Sequence, residues 1–177
     1  MFLGHMSSGL SSMPVEPRVS LATWFVAVQL VDLIWPVMLL LDIEHVAIAP
    51  GITAFTPLDF FDYPITHSLA GSLVWAALFA AFWFSIRANP WRKFPGAVGV
   101  ALLLGAGVLS HWVLDVISHR PDVPVLPGGP YLGLGLWNSI PATLAVELTM
   151  FAAGLAIYIR SGSPGAGRVS FWLLIAF

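Results

Sequence analysis

The chain has 177 residues, enough for one domain; 58% of them are hydrophobic and 9% are charged. A water-soluble domain carries roughly 25% charged residues, so a chain with a mean hydropathy of +0.88 lacks the polar surface for an aqueous shell and reads as an integral membrane protein. A net charge of −2 without a basic cluster gives no footing for nucleic acid, and the absence of cysteine removes disulfides, iron–sulfur clusters, thiolate metal sites and cysteine nucleophiles. Any metal must then be held by His, Asp and Glu.

In chain order, residues 20–41 form the first run long and apolar enough to cross ~30 Å of hydrocarbon. It exceeds the apolar core of a signal peptide and is followed by no clear cleavage site, so it reads as a retained helix, with Pro36 predicting a kink near Asp32. The connection 42–66 contains Thr56-Pro57-Leu58-Asp59, a helix-start signature that predicts a short surface helix before Asp62. His45, beside Asp42 and Glu44, reads as a solvated loop mouth. Spans at 68–86 and 97–117 follow, the second led by Thr66-His67 and the third carrying His111 and Asp115. The stretch from Arg120 to Gly135 is too rich in proline and glycine for a helix interior or a central strand and predicts a structured loop or lid. A fourth span covers 140–159, and the apolar run 169–177 is half a span, read as a truncated fifth helix. The expected fold is therefore an all-α polytopic bundle in a single domain, 1–177, with four full spans and a partial fifth.

Six of the seven basic residues, Arg18, Arg87, Arg92, Lys93, Arg160 and Arg168, fall on one side of this arrangement, and Arg120 alone falls on the other. The positive-inside rule then predicts a cytoplasmic N-terminus and long outer connections. Trp24, Trp83, Trp91 and Trp137 lie near predicted span ends, where indole rings favour the interface.

Ionised acids inside a span cost ~2.5–3.5 kcal/mol each on the insertion scale, which makes Asp32, Asp115 and Glu147 conspicuous. Facing the bundle interior, they can be offset by protonation, hydrogen bonding, water or a cation. At 100° per residue His111, Asp115 and His119 drift only ~80° over two turns and share a helix face. His67 sits level with that face at the mouth of the second span, and Asp32 lies deeper. This oxygen- and nitrogen-rich set, His67, His111, Asp115, His119 and Asp32, suits a divalent metal, with zinc favoured and manganese or iron as alternatives. Glu147 and Asp62 are the candidate general bases.

Several segments together carry a family pattern: Met1-Phe2-Leu3-Gly4-His5, Ala27-Val28-Gln29-Leu30-Val31-Asp32, Thr56-Pro57-Leu58-Asp59 with Tyr63-Pro64-Ile65-Thr66-His67-Ser68, Ser110-His111-Trp112-Val113-Leu114-Asp115 with His119-Arg120-Pro121-Asp122, and Gly133-Leu134-Gly135-Leu136-Trp137-Asn138. Over almost its whole length the chain resembles bacterial inner-membrane proteins labelled membrane-bound metal-dependent hydrolases. That resemblance implies a small polytopic helical protein, metal-dependent hydrolysis, and His67, His111 and Asp115 as metal-site positions. It also brings in His5, which the charge-based topology places on the opposite side from His67 and His111.

The expected function is hydrolysis of a lipid or lipid-linked ester or phosphoester at the outer membrane boundary. Its partners would be membrane lipid and a lipid-like substrate, with no nucleic acid. Two competitors stand beside it: a proton-coupled or small-solute transporter using buried Asp, Glu and His, and a noncatalytic membrane scaffold. No Gly-x-Ser-x-Gly elbow or phosphate-cradling glycine loop is present.

Overall fold

The computed structural model describes residues 1–86 and 96–162. Seven helices dominate: α1 Phe2–Ser12, α2 Leu21–Val28, α3 Leu30–Leu40, α4 Pro64–His67, α5 Leu69–Ser85, α6 Ala97–Ser118 and α7 Ile140–Arg160. Local chemistry sets several of their starts. Ser20, Ser68 and Ser139 each stand at an N-cap and accept a hydrogen bond from the backbone N–H three residues on, at Thr23, Gly71 and Ala142, which satisfies one of the donors a helix start leaves free.

Among the described residues two helices, α6 and α7, are long and apolar enough to cross a membrane, so four full spans are not what forms. The apolar run 20–41 divides at Gln29 into α2 and α3, which meet at a bend of 52° and together make a broken third candidate. The bend falls seven residues before Pro36, which sits inside α3. Residues 68–86 supply the 17-residue α5, because Ser68 is spent as a cap. The apolar segment 169–177 and the basic residues Arg87, Arg92, Lys93 and Arg168 lie outside the described residues, as does Trp91.

α5 packs along α6, and Gly105 allows the approach: a Cβ there would stand 3.2 Å from the Ala76 carbonyl oxygen. α1 lies along α7 in the same way. A Cβ on Gly154 would come within 2.8 Å of the Ser7 carbonyl oxygen, and the Ser7 hydroxyl donates to the Met150 carbonyl. α2 fills the space between α1 and α6, and a buried core of Leu10, Met13, Trp24, Ala27, Val31, Leu104 and Val108 forms where the three meet. Trp24 is therefore a core side chain rather than an interfacial anchor; Trp83 and Trp137 are buried too.

Two small hairpins cover one end of the bundle. Strands β1 His45–Ile48 and β2 Leu58–Asp62 pair antiparallel, with a register irregularity between His45 and Ala47. Residues 58–62 thus form a strand where the Thr-Pro signature predicted a helix; Thr56 Oγ1 accepts from Leu58 N–H, but the following residues pair across to β1. Strands β3 Val123–Pro124 and β4 Tyr131–Leu132 make the second hairpin within the predicted lid. The lid then doubles back over α6. Leu134 N–H donates to the Val116 carbonyl and Gly135 N–H to the His119 carbonyl, supplying donors to carbonyls that a helix end leaves unpaired. Gly133 makes this possible, since a Cβ there would lie 2.0 Å from the Arg120 carbonyl oxygen. Arg120 ties the hairpins together by donating to Asp59 and, at 2.9 Å, to Asp122.

Candidate metal centre

Four elements bring titratable side chains to a single point beneath the hairpins. α6 contributes His111 and Asp115 one turn apart, with His119 as its C-cap; α3 contributes Asp32 in its first turn, α4 contributes His67 in its last, and α1 contributes His5. His5, His67, His111, Asp115 and His119 are buried, and Asp32 is partly exposed. Asp32 Oδ1 lies 3.3 Å from His67 Nε2 and 3.5 Å from His111 Nε2. Asp115 Oδ2 lies 3.2 Å from His111 Nε2 and 3.9 Å from His67 Nε2.

Three of the imidazoles are anchored from behind through Nδ1. His111 Nδ1 is 2.8 Å from the Val28 carbonyl at the α2–α3 break; a carbonyl only accepts, so the proton resides on Nδ1 and the Nε2 lone pair faces inward. His67 Nδ1 is 2.7 Å from Thr66 Oγ1, whose own proton goes to Glu44 Oε2 at 2.6 Å. Thr66 must then accept from His67 Nδ1, while His67 Nε2 faces Asp32 Oδ1 at 3.3 Å, a hydrogen bond in which the carboxylate accepts. His119 Nδ1 donates to Asp122 Oδ1 at 3.1 Å, with the Tyr63 hydroxyl donating to the same oxygen at 3.4 Å. Burial, reinforced by the Asp122 carboxylate, pushes the Tyr63 hydroxyl far above its ordinary value and keeps it a donor. Carboxylate- and carbonyl-backed imidazoles of this kind are how proteins orient metal ligands.

A tetrahedral ion with donors at ~2.0–2.2 Å has donor–donor edges of roughly 3.3–3.6 Å. Asp32, His67 and His111 present donors within 4.8 Å of one another and could hold a metal ion, as could His5, His111 and Asp115; Asp115 Oδ2 stands beside the first group, 3.2 Å from His111 Nε2 and 3.9 Å from His67 Nε2. A further sign is polar atoms left over: His111 Nε2 and both ring nitrogens of His5 are buried without a hydrogen bond, although each Nε2 is 3.2 Å from an Asp115 oxygen. Buried groups of this kind ordinarily have partners.

The cluster opens into a cavity of about 390 Å³. Its remaining wall is apolar and aromatic, including Phe2, Trp35, Phe55, Phe60, Trp137 and Leu144, with Glu147 as the one other carboxylate. Phe2 and Leu144 are also exposed on the outside of the bundle, so the rim of the cavity is apolar.

Of the residues singled out in the sequence, Asp32, His67, His111, Asp115 and His119 converge. Glu147 lies on the cavity wall and accepts from Leu3 N–H at 2.9 Å. Asp62 does not join them: its Oδ2 is 2.7 Å from His45 Nδ1 on the outer hairpin, away from the cavity. His5 enters the centre against the topological expectation, because residues 2–12 fold into the bundle as α1, and the His5 ring stacks on His111 at 3.6 Å and 9°. Met1 N lies 3.4 Å from Asp115 Oδ1, so the start of the chain sits at the site rather than at the basic end. Glu44, taken as a loop-mouth acid, is buried and accepts three hydrogen bonds, from Ile65 N–H, Thr66 N–H and the Thr66 hydroxyl. Nothing in its spacing marked it; the acid preceding a hairpin is ordinary, and its role depends on α4 folding over it.

No protein-family model, curated protein or solved structure matches the chain.

Proposed function

We propose that the protein is a membrane-embedded, metal-dependent hydrolase of the bacterial inner-membrane kind, acting on a lipid or lipid-linked ester or phosphoester at the outer membrane boundary. The observation that carries this reading is the convergence of Asp32, His67, His111 and Asp115 beside a largely apolar cavity whose wall includes Asp32, His67 and Asp115. A donor set of imidazoles and carboxylates without thiolates favours zinc, with manganese or iron next. When bound, such an ion lowers the pKa of water toward ~7 and polarises a carbonyl or phosphoryl oxygen.

The chain's own residues supply the rest. Thr66, Glu44, Val28 and Asp122 hold the imidazole planes, so the site is preorganised before substrate arrives. Asp32, the most exposed ligand candidate, borders the cavity and is the position at which water can share the site. Glu147, set in the wall with one oxygen held by Leu3 N–H, is the proposed base, which would take a proton from a water in the cavity and return it to the departing alkoxide. Trp35, Phe60 and Trp137 exclude bulk solvent and accept an acyl or isoprenoid tail entering past Phe2 and Leu144. The basic residues Arg18 and Arg160, at helix ends remote from the cluster, support an orientation with the site toward the outer leaflet. Transport is the weaker reading: Leu10, Met13, Trp24, Ala27, Leu104 and Val108 pack into a buried apolar core among the described residues.

The test is metal content and hydrolysis together. Full-length protein purified in detergent is expected to carry stoichiometric metal that His111→Ala and Asp115→Asn both lose, along with cleavage of a lipid phosphoester presented in mixed micelles. A parent that binds no metal, or cleaves equally well after both substitutions, removes the reading.

A further inference from the structure

We infer that the centre holds two divalent cations rather than one, with Asp115 bridging them and the second ion held by His5 and His119. This rests on the metal-dependent reading above and adds a site to it. The two oxygens of Asp115 face separate pairs of imidazoles. Oδ2 is 3.2 Å from His111 Nε2 and 3.9 Å from His67 Nε2; Oδ1 is 3.2 Å from His5 Nε2 and 3.9 Å from His119 Nε2. Each oxygen therefore sees one near and one farther imidazole nitrogen, Oδ1 with the Met1 amino group also at 3.4 Å, and a carboxylate with donors grouped on both oxygens has the form of a bridge.

His111 sits close to both groups but cannot serve two ions. Its Nδ1 proton is committed to the Val28 carbonyl, and Nε2 has a single lone pair. An ion bound by Asp32, His67, His111 and Asp115 Oδ2 takes that lone pair and leaves His5 and His119 over. His5 is 1% exposed, and neither of its ring nitrogens makes a hydrogen bond. An imidazole buried that deeply, with the Asp115 carboxylate 3.2 Å from Nε2 but no aligned hydrogen bond, is unfavourable unless a ligand completes it. His119 is already oriented for the same task, with Nδ1 held by Asp122 and Nε2 turned toward Asp115.

Charge extends the argument to the substrate. Two divalent ions and the Met1 ammonium bring five positive charges, and Asp32, Asp115 and Glu147 on the same wall supply three negative ones. The excess of positive charge favours a substrate with an anionic oxygen, so paired ions select a phosphoester over a neutral carboxylic ester.

The experiment uses detergent-purified full-length protein, stripped with chelator and reloaded with Mn(II). Elemental analysis is expected to give two equivalents in the parent and one each in His5→Gln and His119→Gln, variants required to match the parent in helical circular dichroism and elution volume. Low-temperature electron paramagnetic resonance of the loaded parent is expected to show an exchange-coupled multiline spectrum that collapses to an isolated-ion six-line signal in His5→Gln. One equivalent in the parent, unchanged by either substitution but lost in His111→Ala, overturns the second ion and leaves the hydrolase reading standing. Two equivalents without exchange coupling overturn the bridge, and a parent that binds none overturns both readings.

Discussion

Thr66 makes the most economical use of one hydroxyl in the molecule: it donates to buried Glu44 and accepts from His67, so a single oxygen fixes both a tautomer and a ring plane. Replacing it with valine keeps the shape and removes both bonds. Thr66→Val is expected to weaken metal binding by ~10–100-fold, the usual effect of losing a group that orients a ligand, with Thr66→Ser close to the parent; competition against a chelator of known affinity measures both. His45 offers an independent residue-level check outside the cluster. The Asp62 carboxylate bonded to its Nδ1, with Asp42 near its other nitrogen, raises the His45 pKa above the ordinary 6.5. A raised folded value means the attraction is fully present below ~6.5 and is lost as pH rises through the folded value. Imidazole chemical shifts followed against pH should show Asp62→Asn returning His45 toward its ordinary midpoint; no change would mean that the pair does not form in solution. Much of the site was legible at this scale. The i, i+4, i+8 spacing placed His111, Asp115 and His119 on one face, and the cost of an acid in an apolar run singled out Asp32. His5 was not legible, because a helix of eleven residues falls short of a span and charge counting assigns it to a loop.

At the level of elements, the close seat of α1 on α7 is what delivers His5. Gly154 faces the Ser7 backbone, where a Cβ would stand 3.0 Å from the Ser7 Cα. Gly154→Val is expected to push α1 outward, destabilise the fold by ~1–3 kcal/mol as overpacking does, and loosen metal binding through His5 while α6 keeps its own donors. Thermal unfolding and elemental analysis read the two effects separately. The small residues Gly4 and Ser7 on α1 were the available signal for this packing, since small residues let apolar helices approach closely. Hydropathy cannot see such a helix, nor the break at Gln29, because both residues 20–41 as one rod and the bent pair present the same apolar content. The bend is set by packing and puts the Val28 carbonyl where His111 needs it. The strand at 58–62 eluded local reading for a related reason: the Thr-Pro signature describes only its own neighbourhood, while the pairing partner, β1, lies some ten residues away.

For the molecule as a whole, one end carries the carboxylates, imidazoles and hairpins, and the other end is apolar inside with Arg18 and Arg160 at its margin. This polarity makes sidedness measurable in a chain without cysteine. Single cysteines replacing Gly128 in the lid and Gly162 after α7, both exposed, are expected to react from opposite faces of intact cells, Gly128 from outside. Reaction of Gly128 only after permeabilisation would invert the orientation and place the chemistry at the inner leaflet. Composition alone carried the membrane assignment and the helical class, but not the count of uninterrupted spans, which depends on where tertiary contacts bend or cap the apolar runs.

The cavity's greasy rim has a practical corollary. On the proposed lipid-hydrolase reading, a surfactant monomer presents the same alkyl chain as the substrate to the wall formed by Phe2, Leu144 and Trp35. Solubilising agents would then compete as well as carry, and turnover in micelles is expected to fall as the tail of the solubiliser lengthens at constant headgroup, recovering on transfer into nanodiscs.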